Sequence, residues 1–403
     1  MVAVDRDRRE VHNQPMLGES LLPVAAVYGP NASGKSNIIA AFSWLLDAVR
    51  HSLIMWEDTI PTDPFAFQTD TGGPTNFMIE VTIRGIRFEY ELEINSQAVI
   101  YEALFHYPEK KRRRVFERAG NDLKVQRGLG GFSGTRELLT ERTLALSVAR
   151  RFDEPLVADF TRDLLLAQTL GLATPRPHIG EFKNYLRPPN LRPIARWFEG
   201  RDQPSLFEEV GDERKQALAL LRLADLGIED VVVDTQHITV TGSSETHQRR
   251  RVRLVHRIAN EQIPFELAAE SAGTRTWFSI IGPLLSALRN GSLLLFDELD
   301  ASLHPTLSAQ LIQLFHDPTT NSSGAQLVFT SHDTSLLNHL NRDEVWLTEK
   351  RPDGSTRLGA LAEFAGERVR KSQNLESAYL HGRFGALPKV DQVEILHALG
   401  LIG

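Results

Sequence analysis

The chain of 403 residues carries 45 basic and 52 acidic side chains, a formal net charge of −7 and no cysteine. That excludes a disulfide framework and thiol chemistry, and an acidic chain is no general nucleic-acid coat, so any such contact must come from a local basic patch. The absence of cysteine suits a cytoplasmic protein; apolar runs such as Ser279 to Leu288 are too short to span a bilayer, and the polar first ten residues lack a signal core.

Residues 1–20 are polar and read as irregular. Leu21 to Tyr28 is an apolar, β-branched run, the pattern of a buried strand. Gly29-Pro30-Asn31-Ala32-Ser33-Gly34-Lys35-Ser36 follows and fits the phosphate-cradling loop G-x-x-x-x-G-K-[ST] in full. Asn37 to Arg50 then places Ile38, Phe42, Leu45, Leu46 and Val49 at helical spacing. Strand, glycine loop and helix is the order this chemistry needs. Glycines let backbone N–H groups approach phosphate, and the helix N-terminus adds partial positive charge. Lys35 would reach the β- and γ-phosphates and Ser36 would ligate Mg²⁺. The chain therefore reads as binding a nucleoside triphosphate.

Phe65 to Gly73 is loop-like. Asn76–Arg84, Ile86–Ile94 and Ala98–Tyr107 alternate as strands, with turns at Gly85 and Asn95-Ser96, so an antiparallel meander is expected. A further strand pair turns at Gly120-Asn121. Between them lies the basic run Lys110 to Arg114. From about Thr135 to Leu226 the period is helical, clearest over Leu156–Leu170 and Asp212–Leu226, with Gly227 at a helix C-cap position. Val231–Thr241 and Arg250–Ile258 read as two strands, and Arg249 to Arg253 is the second basic run. Each run is open to two readings: contact with a phosphate backbone or acidic partner, or a solvated hairpin rim paired with nearby glutamates. From Phe265 an α/β core resumes, ending in a short tail beyond Glu349.

Leu293 to Phe296 is a buried strand that runs into Asp297-Glu298. In a phosphate-loop enzyme the first acid holds Mg²⁺ and the second is placed to polarise the attacking water. Gln326 to Thr330 is another buried strand, ending at Ser331-His332-Asp333, and His332 could hydrogen-bond the γ-phosphate. Upstream, Ser271 and Gly273 precede Trp277, Phe278, Ile281, Leu284, Leu285 and Leu288 at helical spacing. They therefore sit at a second helix N-terminus able to bind an anion. One phosphate loop already serves the phosphates of its own nucleotide, so this second end is most simply read as capping a partner molecule's nucleotide.

The order of phosphate loop, Ser-x-Gly helix, Asp-Glu strand and His-ended strand resembles the ABC-type ATPase head. The long separation of Lys35 from Asp297 resembles the SMC/RecF/OLD branch. Tyr-Gly-Pro-Asn-Ala-Ser-Gly-Lys-Ser-Asn37, Glu-Ser-Ala-Gly-Thr, Asp-Glu-Leu-Asp-Ala-Ser-Leu-His-Pro and the tail Asn374 to Pro388 are similar to bacterial abortive-infection ATPases of the OLD-like kind. The resemblance implies an ABC-ATPase-like α/β P-loop fold with a β-meander and an inserted helical lobe. The division expected is a first half of the head over 1–134, a lobe over 135–226, a second half over 227–349 and a tail over 350–403. It implies ATP and Mg²⁺, a homodimer or assembly of dimers, and an effector from an adjacent gene, RloB-like or a TOPRIM-type nuclease. The chain itself carries no recognisable nuclease set. The lobe and the tail are the expected partner surfaces, with a plain terminal helix as the other reading of the tail. A RecF-like DNA-repair ATPase is the alternative function.

Two departures from the family accompany this. Such heads usually carry one or two strands before the phosphate loop, so a late or misplaced start is expected here, with an irregular first segment and an exposed sheet edge beside the loop. The Mg²⁺-sensing glutamine has only Gln68 as its candidate.

Overall fold

The computed structural model describes residues 1–4, 10–15, 17–67, 73–129, 134–152, 154–172, 195–198, 209–239, 246–258, 261–361 and 375–381. The chain opens with β1 (His12–Gln14) and β2 (Glu19–Leu21), an antiparallel pair to which Val2 adds a bridge at Leu21. This segment is more regular than its polarity predicts, because three of its apolar residues, Ala3, Val11 and Leu22, cluster together and are buried. Then come β3 (Val24–Tyr28), buried at every position, and α1 (Lys35–Met55).

The expected meander is present. β4 (Thr75–Ile83), β5 (Ile86–Ile94), β6 (Val99–His106), β7 (Arg113–Ala119) and β8 (Asp122–Val125) form one antiparallel sheet in sequence order. Its first turn, Arg84-Gly85, has positive φ at both residues (49° and 78°). That is the two-residue geometry whose twist matches the strands it joins.

The helical stretch holds α2 (Thr135–Leu138), α3 (Ala145–Ala149) and α4 (Pro155–Leu166). The period predicts one helix over 156–170, yet α4 stops at Leu166 and Gln168–Leu170 is a strand, β9. Tertiary pairing overrides the local pattern there. α5 (Ala195–Phe198) and α6 (Glu209–Ala224) follow. Gly227 is not the left-handed C-cap its position predicts; instead the Asp225 carboxylate accepts its N–H at 2.8 Å, an Asx turn that ends the helix. A second sheet contains β10 (Ile228–Thr239), β11 (Thr246–Ile258) and β12 (Glu261–Glu266). The last includes Pro264, which an edge strand tolerates.

The rest of the chain supplies α7 (Ala272–Asn290), β13 (Leu293–Phe296), α8 (Leu299–Ser302), α9 (Pro305–His316), β14 (Gln326–Thr330), β15 (Val345–Lys350), β16 (Thr356–Ala360) and α10 (Leu375–Leu380). The central sheet runs β16-β15-β3-β14-β13-β9, parallel except for β16. β3 thus has neighbours on both sides, β15 and β14, and the exposed edge expected beside the phosphate loop does not exist. Two strands of this sheet come from outside the head as the sequence divides it: β9 from the helical stretch and β16 from the tail.

Strand alternation explains the layers. Val24, Ala26 and Tyr28 of β3, with Leu294, Phe296, Leu327 and Phe329, face one core with α7 and α9. Ala25, Leu295 and Val328 face the other side, where Ile39 and Phe42 of α1 lie. Helices on both faces of a mostly parallel sheet make a three-layer α/β unit. Further along α1, Leu45, Leu46 and Val49 join Phe88, Tyr90, Leu92, Phe116, Leu146 and Phe160 in a second core beneath the meander. α1 is long and apolar enough to cross a membrane by length and composition alone, more than the run lengths foretold; its apolar side chains serve these two cores. In α10, Leu375, Ala378 and Tyr379 are buried, and the Tyr379 ring meets that of Tyr28 edge-on at 5.9 Å. Leu380, at the end of the same helix, is exposed. Beyond β16, the described part of the tail is this helix, which closes the core. Gly382, Gly385 and Pro388 lie outside the described residues.

Candidate functional site

The loop Gly29 to Ser36 leaves the C-terminal end of β3 and enters α1. Its two glycines are required by what stands behind them. A Cβ on Gly29 would strike Thr348 of β15, and one on Gly34, which has φ +97°, would strike Thr356 of β16. The Ser33 and Thr348 hydroxyls share a hydrogen bond at 2.6 Å. The β15–β16 hairpin is therefore the backing plate of the loop. Asn31, Ala32 and Asn37 are exposed, and Pro30 and Ser36 half-buried. Ala32 also holds a positive φ of 59°, unusual for a residue with a Cβ.

Lys35 is buried, and its ammonium donates to the carbonyls of Gly29 (2.9 Å) and Pro30 (3.0 Å). Burial holds its pKa below the usual lysine value, against the opposing pull of Glu298, Asp300 and Asp297. Among the described residues the hydrogen bonds of this buried cation go to loop carbonyls, with Glu298, Asp300 and Asp297 supplying the opposing charge.

The acids follow β13, two strands from β3. Asp297 is buried, and its Oδ1 accepts the Thr330 hydroxyl at 2.6 Å. Thr330 in turn accepts the Glu298 N–H at 2.8 Å. Glu298 is exposed and held in the left-handed region, φ 52° and ψ 58°. Strain of that kind in a non-glycine residue costs about 1–3 kcal/mol and persists where surroundings impose it. Two devices escaped the sequence reading. The first is Thr330. The second is the end of β9: Leu170 accepts the Asp297 N–H at 2.9 Å, and a Cβ on Gly171, at φ +79°, would run into the Asp297 carbonyl. His332 is exposed just beyond β14, and its N–H donates to Asp300 Oδ1 at 3.0 Å. The phosphate loop, Asp297-Glu298 and His332 thus share the C-terminal edge of one parallel sheet, where such folds bind ligands.

Ser271 caps α7, its hydroxyl accepting the Thr274 N–H at 3.0 Å. It is exposed, and a Cβ on Gly273 would meet only Ser271 Oγ, at 3.8 Å. Among the described residues no hydrogen bond or ion pair joins either residue to the phosphate loop of the same chain. Just before it, Glu270 meets His256 of β11 at 2.8 Å, and Arg275 donates to the Ala268 and Glu270 carbonyls.

Gln68 lies outside the described residues. The residues that abut Asp297 from the neighbouring strand are Leu170 and Gly171. The basic runs are largely paired where they are described. Arg112 binds Glu89 and Glu91, Arg113 reaches Glu109 and Arg114 reaches Glu117. Arg251 binds Glu266 and Arg253 binds Asp234. Among the described residues no group of three or more His, Asp or Glu could hold a metal by itself.

A family model described as "AAA domain, putative AbiEii toxin, Type IV TA system" matches residues 24–338. Among solved structures, the chain is similar to an SMC head bound to the C-winged helix domain of ScpA, with 14% identity, 84% of this chain and 90% of that one covered, and a TM-score of 0.39. It is similar also to the SMC head domain from Thermotoga maritima, with 12% identity, 83% and 89% covered and a TM-score of 0.36. A Pyrococcus furiosus Smc head with an extended coiled coil, bound to the C-terminal domain of ScpA, shares 11% identity over 85% and 91% of the chains, with a TM-score of 0.38. No curated protein matches.

Proposed function

Because the chain belongs to the AbiEii-type AAA family, we propose that it is an ATP-hydrolysing switch that controls a separate nuclease or toxin in a bacterial anti-phage, abortive-infection system. The observation that carries the reading is the meeting of Lys35, Asp297, Glu298 and the Thr330–His332 segment along one sheet edge, with an exposed Ser271 cap that no hydrogen bond or ion pair among the described residues joins to the phosphate loop.

In this reading the loop N–H groups and Lys35 hold the phosphates of ATP. Ser36 and Asp297 would hold Mg²⁺, an oxygen-only ligand pair suited to a hard cation. Bound Mg²⁺ neutralises charge on the phosphate oxygens. Glu298, exposed and fixed by its N–H to Thr330, takes a proton from the attacking water. His332 donates toward the terminal phosphate. Ser271, exposed at the capped end of α7, is available to a second copy. Two heads then enclose two nucleotides, each between one Lys35 and the other Ser271 and Gly273. A partner responds to closure only if it distinguishes the open and closed states.

The test is Glu298→Gln with ATP and Mg²⁺. Turnover should fall about 10²–10⁴-fold with ATP binding retained, and light scattering should show nucleotide-dependent growth to at least a dimer. Ser271→Arg added to it should abolish that growth. Turnover near wild type in Glu298→Gln, or a mass indifferent to nucleotide, would refute the reading.

A further inference from the structure

Ahead of the meander, two phenylalanines are left on the surface: Phe65 is 42% and Phe67 69% exposed. Their rings pack edge to face, with centroids 5.6 Å apart. Both rest on the turn between β15 and β16. A Cβ on Gly354 would meet Phe67 Cδ2 at 3.0 Å and Phe65 Cζ at 3.6 Å, and Gly354 has φ +82°. The main chain of the turn thus supports the pair from one side, and Phe67 stays largely exposed.

That hairpin is the one that backs the phosphate loop, through Thr348 at Gly29 and Ser33 and through Thr356 at Gly34. The rings stand one hairpin turn from the phosphate cradle. Strand order gives the direction. Asp297-Glu298 and His332 follow β13 and β14, on one side of β3, while β15 and β16 lie on the other. A triphosphate whose terminal phosphate faces the acids leaves its sugar and base on the hairpin side.

We propose that Phe67, backed by Phe65 and the Gly354 turn, is the platform on which the base of the bound nucleotide stacks. The proposal rests on the phosphate loop being a nucleotide site. Stacking uses the π face that every base has, so it tolerates base identity while giving the larger purines more contact.

The experiment compares full-length wild type, Phe67→Ala and Phe67→Tyr for binding of ATP, UTP and inorganic tripolyphosphate, each with Mg²⁺. Stacking on one ring predicts that Phe67→Ala weakens ATP binding about 5- to 100-fold. It should also narrow the preference for ATP over UTP and leave tripolyphosphate affinity unchanged. Phe67→Tyr should restore ATP binding, since it keeps the ring, and etheno-ATP fluorescence should be quenched by wild type and not by Phe67→Ala. The proposal is overturned if Phe67→Ala binds ATP as tightly as wild type. It is overturned also if ATP and tripolyphosphate weaken together, which marks a displaced loop rather than a lost base contact. Wild type that binds neither ligand would bring down the nucleotide reading itself, a result distinct from both.

Discussion

Replacing Thr330 with valine isolates one hydroxyl at constant side-chain volume. That hydroxyl donates to buried Asp297 at 2.6 Å and accepts the Glu298 N–H at 2.8 Å, with the Thr330 side chain itself buried. A hydrogen bond to a charged group contributes about 1.5–3 kcal/mol, and an unsatisfied buried N–H costs about 1–3 kcal/mol. Glu298 is exposed, so its N–H loss belongs at the low end, and the two losses share one group and are not additive. A destabilisation of about 2–4 kcal/mol follows. The same change frees Glu298 from the bond that fixes its left-handed backbone, so turnover should fall about 10–100-fold, as it does when groups supporting a ligand set are removed. Urea unfolding followed by circular dichroism reads the first effect as a lower midpoint with unchanged slope; a steady-state phosphate-release assay reads the second. Thr330→Ser, which keeps the hydroxyl, should recover most of both. A valine variant within about 0.5 kcal/mol of wild type that hydrolyses ATP at the wild-type rate would refute the assignment.

Gly171→Ala places a methyl group against the Asp297 carbonyl at a backbone angle that L-residues avoid; it should lower the melting temperature and cut turnover at least tenfold, and an alanine variant indistinguishable from wild type would show that β9 does not set the Asp297 position. Lys35→Met should abolish detectable ATP binding by calorimetry while leaving the nucleotide-free protein folded. Its effect on stability should also depend on pH. Burial lowers the folded-state pKa of Lys35 below its value in the unfolded chain, so between the two the unfolded chain binds more protons and wild-type stability gains with rising pH. Lys35→Met lacks that gain. Melting curves from pH 8 to 10 should therefore move in favour of wild type relative to the variant as pH rises, and the opposite slope would contradict the burial of a charged Lys35.

The strand, glycine loop and helix order, the meander and the two buried strands at Asp297 and Thr330 were legible because their signals are local: a period of two or 3.6, bounded by turn residues. β9 was not. Leu164, Leu165 and Leu166 continue a helical pattern into Leu170, and only pairing with Leu294 to Phe296 makes Gln168–Leu170 a strand. β16 follows Asp353-Gly354, a hairpin signal that marks a strand where the polarity beyond Glu349 alone suggests a tail. Other parts of the site leave no mark in one dimension. Glu298 in the left-handed region and a glycine pressed on a carbonyl are facts about neighbours distant in sequence. The arginine runs show the converse limit: the clustering is plain in the sequence, while the glutamates that pair with Arg112 stand on another strand.

The position of β3 in its sheet bears on how the protein is made. Its hydrogen-bonding partners, Leu327 to Thr330 and Val345 to Leu347, leave the ribosome about 300 residues after it, some 15–60 s later at about 5–20 residues per second. Through that interval the strand carrying the phosphate loop has neither neighbour, and the hairpin that backs the loop does not yet exist. The meander needs no such wait, because its five strands and the α1 and α4 residues beneath it are complete by Leu166. Synthesis therefore builds the β-rich half first and the ATP-binding half last. A chain cut short before Ala360 lacks the completed β15–β16 hairpin behind the phosphate loop.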